Sequence, residues 1–204
     1  MVQQHSRMTT LIPLTDLNSR TDLPAELILG FYIDSDSELD NRDLLSNRKS
    51  EALISLFLTD SKNDFHSYHY KKMSGGKPYL QLDDRTIGLS ISHTHQYFLL
   101  GINKNGEIGI DVEMTHRKTL PKLGERIKNS RDQFLSDIST LQIWTIKEAV
   151  LKLTGSGLRT NMNNIELHQK SETLFNVFHN NYNISIVSFE QSGCWISVAW
   201  TINN

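Results

Sequence analysis

Residues 147–153 read KEAVLKL, and 97 positions earlier residues 50–56 read SEALISL. Glu, Ala and the final Leu are identical, and two further positions are aliphatic in both. Each heptapeptide lies in a helical pattern. Over about 39–58, Leu44, Leu45, Ala52, Leu53, Leu56 and Phe57 recur at three-to-four spacing. Over about 140–153, TLQIWTIKEAVLKL does the same and stops at Gly155 and Gly157, residues that suit a helix C-terminus. A mostly apolar run at 27–33 reads as a strand. Strand-like runs follow the first helix at about 65–71, 78–82, 86–92 and 96–103. After another strand at 108–113 and the second helix, such runs recur at about 164–169, 173–178, 182–189 and 194–202. Shifted by 97, the starts 65, 86 and 96 fall at 162, 183 and 193, each near a strand found independently. This points to a diverged internal duplication. The expected fold is α+β: two similar α/β lobes related by pseudo-twofold symmetry, each a long helix on a small antiparallel sheet. The lobes would be residues 1–104 and 105–204, with a ligand site in the cleft between them.

The 204 residues carry 21 Lys plus Arg against 23 Asp plus Glu, a net charge of −2. Proteins that bind bulk nucleic acid through its phosphates usually show a basic excess, so that class is set aside. A small anionic ligand needs only a few placed cations. Cys194 is the one cysteine, which rules out an intrachain disulfide and suits a reducing compartment. No run approaches the roughly 20 apolar residues of a membrane span. Met1 to Leu17 lacks the apolar run of a signal peptide, so the expected location is the cytoplasm.

Four segments look chemical. In IGIDVE, 108–113, Asp111 and Glu113 project from one face of a strand while Ile110 and Val112 face the core. Two readings stay open: a solvated acidic face, or a pair of oxygen ligands for a hard cation such as Mg²⁺. On the helix, Thr145, Glu148 and Lys152 form a polar stripe, with Glu148 and Lys152 at the spacing of an i,i+4 ion pair. Lys147 falls inside the apolar arc, where it must snorkel, pair or meet an anion. In GGKPY, 75–79, two glycines and Pro78 present Lys77 on a defined turn. In SISHTH, 90–95, Ser90, Ser92 and Thr94 share one strand face and His93 and His95 the other. Zinc is set aside there, because no third ligand stands at a zinc spacing.

Each signal alone is modest, but their order is specific. GKP at 76–78, SISH at 90–93, IGIDVE at 108–113 and WTIKEAVLK at 144–152 together resemble the 4′-phosphopantetheinyl transferase superfamily, in its single-chain pseudo-dimeric Sfp type. The family pattern is (I/V)-G-(I/V)-D-x-E followed by (F/W)-(S/T/C)-x-K-E-(A/S)-x-x-K, and the resemblance runs over about residues 27–202. It implies an enzyme that moves the phosphopantetheine arm of coenzyme A onto a serine of an apo acyl or peptidyl carrier protein, releasing adenosine 3′,5′-bisphosphate. It further implies that Asp111, Glu113 and Glu148 hold Mg²⁺ and that Glu148 takes the serine proton, directly or through water. Lys152, with Lys147, would meet the pyrophosphate. Arg48, Lys77, Pro78, Ser92 and His93 would line the coenzyme A pocket.

The chain departs from relatives in three places, one of them Leu89, before the SISH block, where relatives are often aromatic. The connector 114–139 is short, and IDSDSELD at 33–40 is acidic where relatives are often basic. The connector is the expected docking region for the carrier, near 114–135, through Lys118, Lys122, Arg126, Lys128 and Arg131. A monomer is expected, with neither nucleic acid nor membrane as partner. Two other functions compete: a non-catalytic module binding coenzyme A or a carrier protein, and a Mg²⁺-dependent phosphohydrolase.

Overall fold

The computed structural model describes residues 11–34, 42–59, 67–157, 160–179 and 182–201; the side chains of 11, 15 and 42–50 lie outside that description. Among the described residues eleven strands form two antiparallel sheets. The first sheet contains β1 (Leu11–Thr15), β2 (Leu27–Asp34), β3 (His69–Lys72), β4 (Pro78–Leu82), β5 (Arg85–Thr94) and β6 (Tyr97–Asn103), in the order β1-β2-β6-β5-β4-β3. The second contains β7 (Ile108–Met114), β8 (His168–Gln169), β9 (Leu174–His179), β10 (Tyr182–Gln191) and β11 (Cys194–Trp200), in the order β7-β11-β10-β9-β8. Three helices complete the described elements: α1 (Arg42–Thr59), α2 (Leu123–Ile127) and α3 (Thr140–Thr154).

The two sheets share one connectivity. Leaving β1 aside, β2, β6, β5, β4 and β3 occupy the positions that β7, β11, β10, β9 and β8 occupy in the other sheet. Shifted by 97 residues, β5 and β6 fall on the bounds of β10 and β11. The turns agree as well: His95 and Ser192 are also 97 apart and both have positive φ, 48° and 52°. Such angles let a two-residue turn follow the twist of the strands it joins.

Side-chain alternation builds layers from these strands. Leu53, Ile54 and Phe57 of α1 pack on Leu80, Leu89, Leu100 and Ile102 of the first sheet. Ile143, Ile146, Val150 and Leu153 of α3 pack on Phe175, Val177, Ile184 and Ile186 of the second. Between the sheets lies a shared layer, in which Leu27, Leu29, Phe31 and Leu99 meet Ile108, Ile110, Val112, Ile196 and Val198. α3 begins at Ser139, whose hydroxyl accepts from the Gln142 N–H at 3.1 Å, and ends on Gly155 in the left-handed conformation, φ 68°. Gly109 lets β7 approach that helix: a Cβ there would stand 2.0 Å from the Ala149 carbonyl oxygen.

Two segments differ from the sequence reading. β1 was not anticipated, because Pro13 interrupts it. It is an edge strand, where a proline is tolerated. The connector over 114–139, read as short, contains the five residues of α2. Beyond it, side chains hold a loop instead: Asn129 Oδ1 accepts from the Arg131 N–H at 2.8 Å, and Asp132 accepts from the N–H groups of Asn129 and Leu167, both at 2.9 Å.

Candidate active site at the edge of β7

β7 is the edge strand of the second sheet, and its outer edge lies against the inner face of β5. No carbonyl ladder joins them. The Ser90 hydroxyl accepts from the Ile110 N–H at 3.1 Å, and the Ser92 hydroxyl from the Val112 N–H at 3.3 Å. Around this edge three elements converge. Ser92 donates to Asp111 Oδ1 at 2.8 Å, and Lys152 Nζ donates both to that oxygen and to Ser92 Oγ, each at 2.8 Å. Thr94 donates to Glu113 Oε2 at 3.1 Å, and Arg117 pairs with the other oxygen of Glu113. Asp111 is buried, and its Oδ2 has no hydrogen-bond partner.

Glu148 faces this group from α3, half-buried. Burial and the charge of Asp111 push its carboxyl up to about 7, against the pull of Lys152 and Arg117. The spacing reading allowed an ion pair between Glu148 and Lys152. The structure turns the Lys152 ammonium to Asp111 instead.

The donors test whether a hard cation fits. Asp111 contributes an orphaned buried oxygen, and Glu148 an oxygen whose charge is disfavoured until a cation arrives. Both suit Mg²⁺. Glu113 is otherwise engaged, by Arg117 and Thr94, and among the described residues no three carboxylates or other ligands are gathered closely enough to hold an ion. Asp111 and Glu148 therefore fit the expected metal role as they stand, while Glu113 fits it only by leaving Arg117.

Three expected coenzyme A contacts are placed differently. Lys147 has no exposed surface. Its ammonium donates to the carbonyls of Ile127 (2.6 Å), Ile165 (2.7 Å) and Met162 (3.3 Å) and pairs with Asp132 at 3.3 Å. An ammonium spent on three carbonyls and a carboxylate, behind the helix, does not reach a pyrophosphate. Lys77 reaches across to the β7–α3 side, pairing with Glu107 and donating to the Leu153 carbonyl near the end of α3. Its ammonium is engaged by these two partners rather than exposed on the turn. Ser92 is buried and fully engaged at β7, whereas His93 lies exposed on the opposite face of β5, stacked on Phe98 at 5.7 Å. One pocket wall does not contain both. Pro78 opens β4, half-buried. Arg48 lies on α1, and its side chain is outside the described residues.

The sequence reading missed Arg117 and Asp132. Arg117 stands four residues after Glu113, a separation that carries meaning on a helix but little beyond a strand end. Asp132 lies in a loop without periodicity.

The sequence pattern of the 4′-phosphopantetheinyl transferase superfamily matches residues 107–200. A Synechocystis protein provisionally named as a 4′-phosphopantetheinyl transferase is 31% identical over 102 residues, 44% of this chain and 41% of that protein. The 4′-phosphopantetheinyl transferase gsp of Aneurinibacillus migulanus is 26% identical over 158 residues, 73% of this chain and 64% of its own length. The matched segments thus span less than two thirds of either relative. The strand bearing Asp111 and the helix bearing Glu148 and Lys152 both fall inside the segment that is similar to the 4′-phosphopantetheinyl transferase superfamily.

Proposed function

We propose that this chain transfers the 4′-phosphopantetheine arm of coenzyme A to a serine of an apo acyl or peptidyl carrier protein and releases adenosine 3′,5′-bisphosphate. The observation that supports this most is the convergence of Asp111, Glu148 and Lys152 at one edge, all within the matched segment. In the reaction the serine oxygen bonds to the phosphorus next to pantetheine. The bond from that phosphorus to the bridging oxygen breaks, and the serine proton leaves to a base. Attack on an already anionic phosphorus depends on neutralised charge and fixed geometry. Asp111 and Glu148, joined by Glu113, would hold Mg²⁺; bound there, the ion supplies charge neutralisation on the diphosphate. Lys152 adds a positive charge already fixed against Asp111. Glu148, with a carboxyl near neutral pH, is suited to accept the serine proton. Arg48, Pro78 and His93 are assigned to the nucleotide end.

The same proposal takes residues 1–104 and 105–204 as two lobes related by pseudo-twofold symmetry. The repeated strand order and the 97-residue offset support it. The carrier docks on the connector, where Lys118, Lys122, Arg126, Lys128 and Arg131 are exposed, as are Leu120 and Leu135, a surface that complements an acidic partner. The protein acts as a cytoplasmic monomer. Among the described residues no helix is long and apolar enough to cross a membrane. The test is mass spectrometry of several apo carriers incubated with coenzyme A, Mg²⁺ and the full chain. Gain of the phosphopantetheine mass on a carrier serine is the expected result. Cleavage of coenzyme A without any carrier would instead support a hydrolase.

A further inference from the structure

Ser90, Ser92 and Thr94 recur at every second position of β5, and all three meet β7. A true neighbouring strand would satisfy the outer N–H groups of β7 with carbonyls. Two of these hydroxyls do so instead, and a hydroxyl, unlike a carbonyl, also has a hydrogen to give. Ser92 gives its hydrogen to Asp111 Oδ1, and Thr94 gives its own to Glu113 Oε2. A serine oxygen has one hydrogen and two lone pairs. In Ser92 all three are committed: the hydrogen to Asp111, and the lone pairs to Val112 N–H and the Lys152 ammonium. Nothing remains for a phosphate oxygen. The consequence falls on Asp111. Its Oδ1 receives both Ser92 and Lys152, while Oδ2 stays buried and without a partner.

We propose that Ser92 is a positioning residue that anchors Asp111 by Oδ1 and thereby presents Oδ2 to a divalent cation, with Thr94 holding Glu113 by Oε2 so that its other oxygen can turn to the same ion once it leaves Arg117. This rests on the metal role given to Asp111 in the proposed function. Residues that orient metal ligands from behind typically change metal affinity about 10- to 100-fold when removed.

The experiment measures Mn²⁺ binding to the full chain by electron paramagnetic resonance of the free ion, without coenzyme A. Ser92→Ala is expected to weaken binding by about tenfold or more. Ser92→Thr, which keeps the hydroxyl, is expected to stay within about threefold of wild type. In parallel, Ser92→Ala lowers kcat and raises the Mg²⁺ requirement, with KM for coenzyme A little changed. Mn²⁺ binding equal to wild type in Ser92→Ala overturns the proposal, as does a raised KM for coenzyme A as the main effect. A wild-type chain that binds no Mn²⁺ also overturns it. If Ser92→Ala does not fold, as judged by circular dichroism, Thr94→Val carries the test: weaker Mn²⁺ binding supports the proposal and unchanged binding overturns it. The two readings fail separately. A wild-type chain that modifies no carrier, yet loses Mn²⁺ affinity in Ser92→Ala, sinks the transferase and keeps the positioning role. Transfer with Mn²⁺ binding indifferent to Ser92 does the reverse.

Discussion

Glu148 is held part-way between two charge states. Its carboxyl, normally at 4.5, rises to about 7 through burial and the facing Asp111. Between those values the folded protein keeps a proton that the unfolded chain has already released. Stability from this group is therefore present below about 4.5 and is lost as pH rises through 7, the reverse of a salt-bridged carboxylate. The full effect is at most about 3 kcal/mol. In metal-free protein, Glu148→Gln should remove this fall, so that urea midpoints for variant and wild type agree near pH 4.5 and diverge by pH 8, the variant being more stable. Curves that stay parallel across that range would show that Glu148 is not so perturbed. The sequence could mark Glu148 as chemically odd only through its motif, because the pressure on it comes from a strand 37 positions away. Lys147 teaches the same lesson from the other side. Its place in an apolar arc announced that it needed a partner. The partners are carbonyls 15 to 20 residues distant, at the end of α2 and in the segment after α3, whose course no periodicity specifies.

Between residues and the molecule stands the contact of β7 with α3. Period-two and period-3.6 patterns made both elements legible, since each buries a continuous apolar face. They could not show how closely the two approach. That distance is set by Gly109, where an added Cβ would meet the Ala149 oxygen at 2.0 Å and the Leu153 nitrogen at 2.4 Å. Both are backbone atoms and cannot rotate away. Gly109→Ala must therefore push the helix from the strand that carries Asp111. Overpacking of this kind costs about 1–3 kcal/mol, with the upper end expected here because backbone rather than side chain must yield. Urea unfolding at pH 7 should show that loss, with Mn²⁺ affinity falling in the fraction that remains folded. Stability and metal affinity both equal to wild type would mean that Glu148 and Asp111 are positioned by something other than this contact. The elements that escaped the sequence reading, β1 and the loop after α2, lack such a face. One is interrupted by Pro13, and the other is held by Asn129 and Asp132 side chains.

At the scale of the whole molecule, the 97-residue repeat could suggest two modules that fold alone. The packing argues otherwise. The layer between the sheets is owned by neither: Ile108, Ile110, Val112, Ile196 and Val198 from one side are covered by Leu17, Leu27, Leu29, Phe31 and Leu99 from the other. Polar contacts cross the same boundary. Arg20 lies over the Phe189 ring at 3.7 Å, Asp22 accepts from Thr173 at 3.1 Å, and Asn103 donates to the Thr201 carbonyl at 2.8 Å. Exposing a buried aliphatic side chain costs about 1.5–3 kcal/mol, and a domain of this size has about 5–15 kcal/mol of net stability in all. Uncovering five such residues is enough to remove most of it. Residues 105–204, expressed alone, should therefore show no cooperative thermal transition and should bind an apolar dye, although they contain the whole of the segment that matches the family. The full chain should unfold in one transition seen alike by far-ultraviolet circular dichroism and by tryptophan fluorescence. Trp144, Trp195 and Trp200 all lie in the second half, so fluorescence follows that half while circular dichroism follows both. Two separated transitions, or a cooperative melt of the isolated half near that of the whole, would show that the seam bearing the site joins two independently stable units.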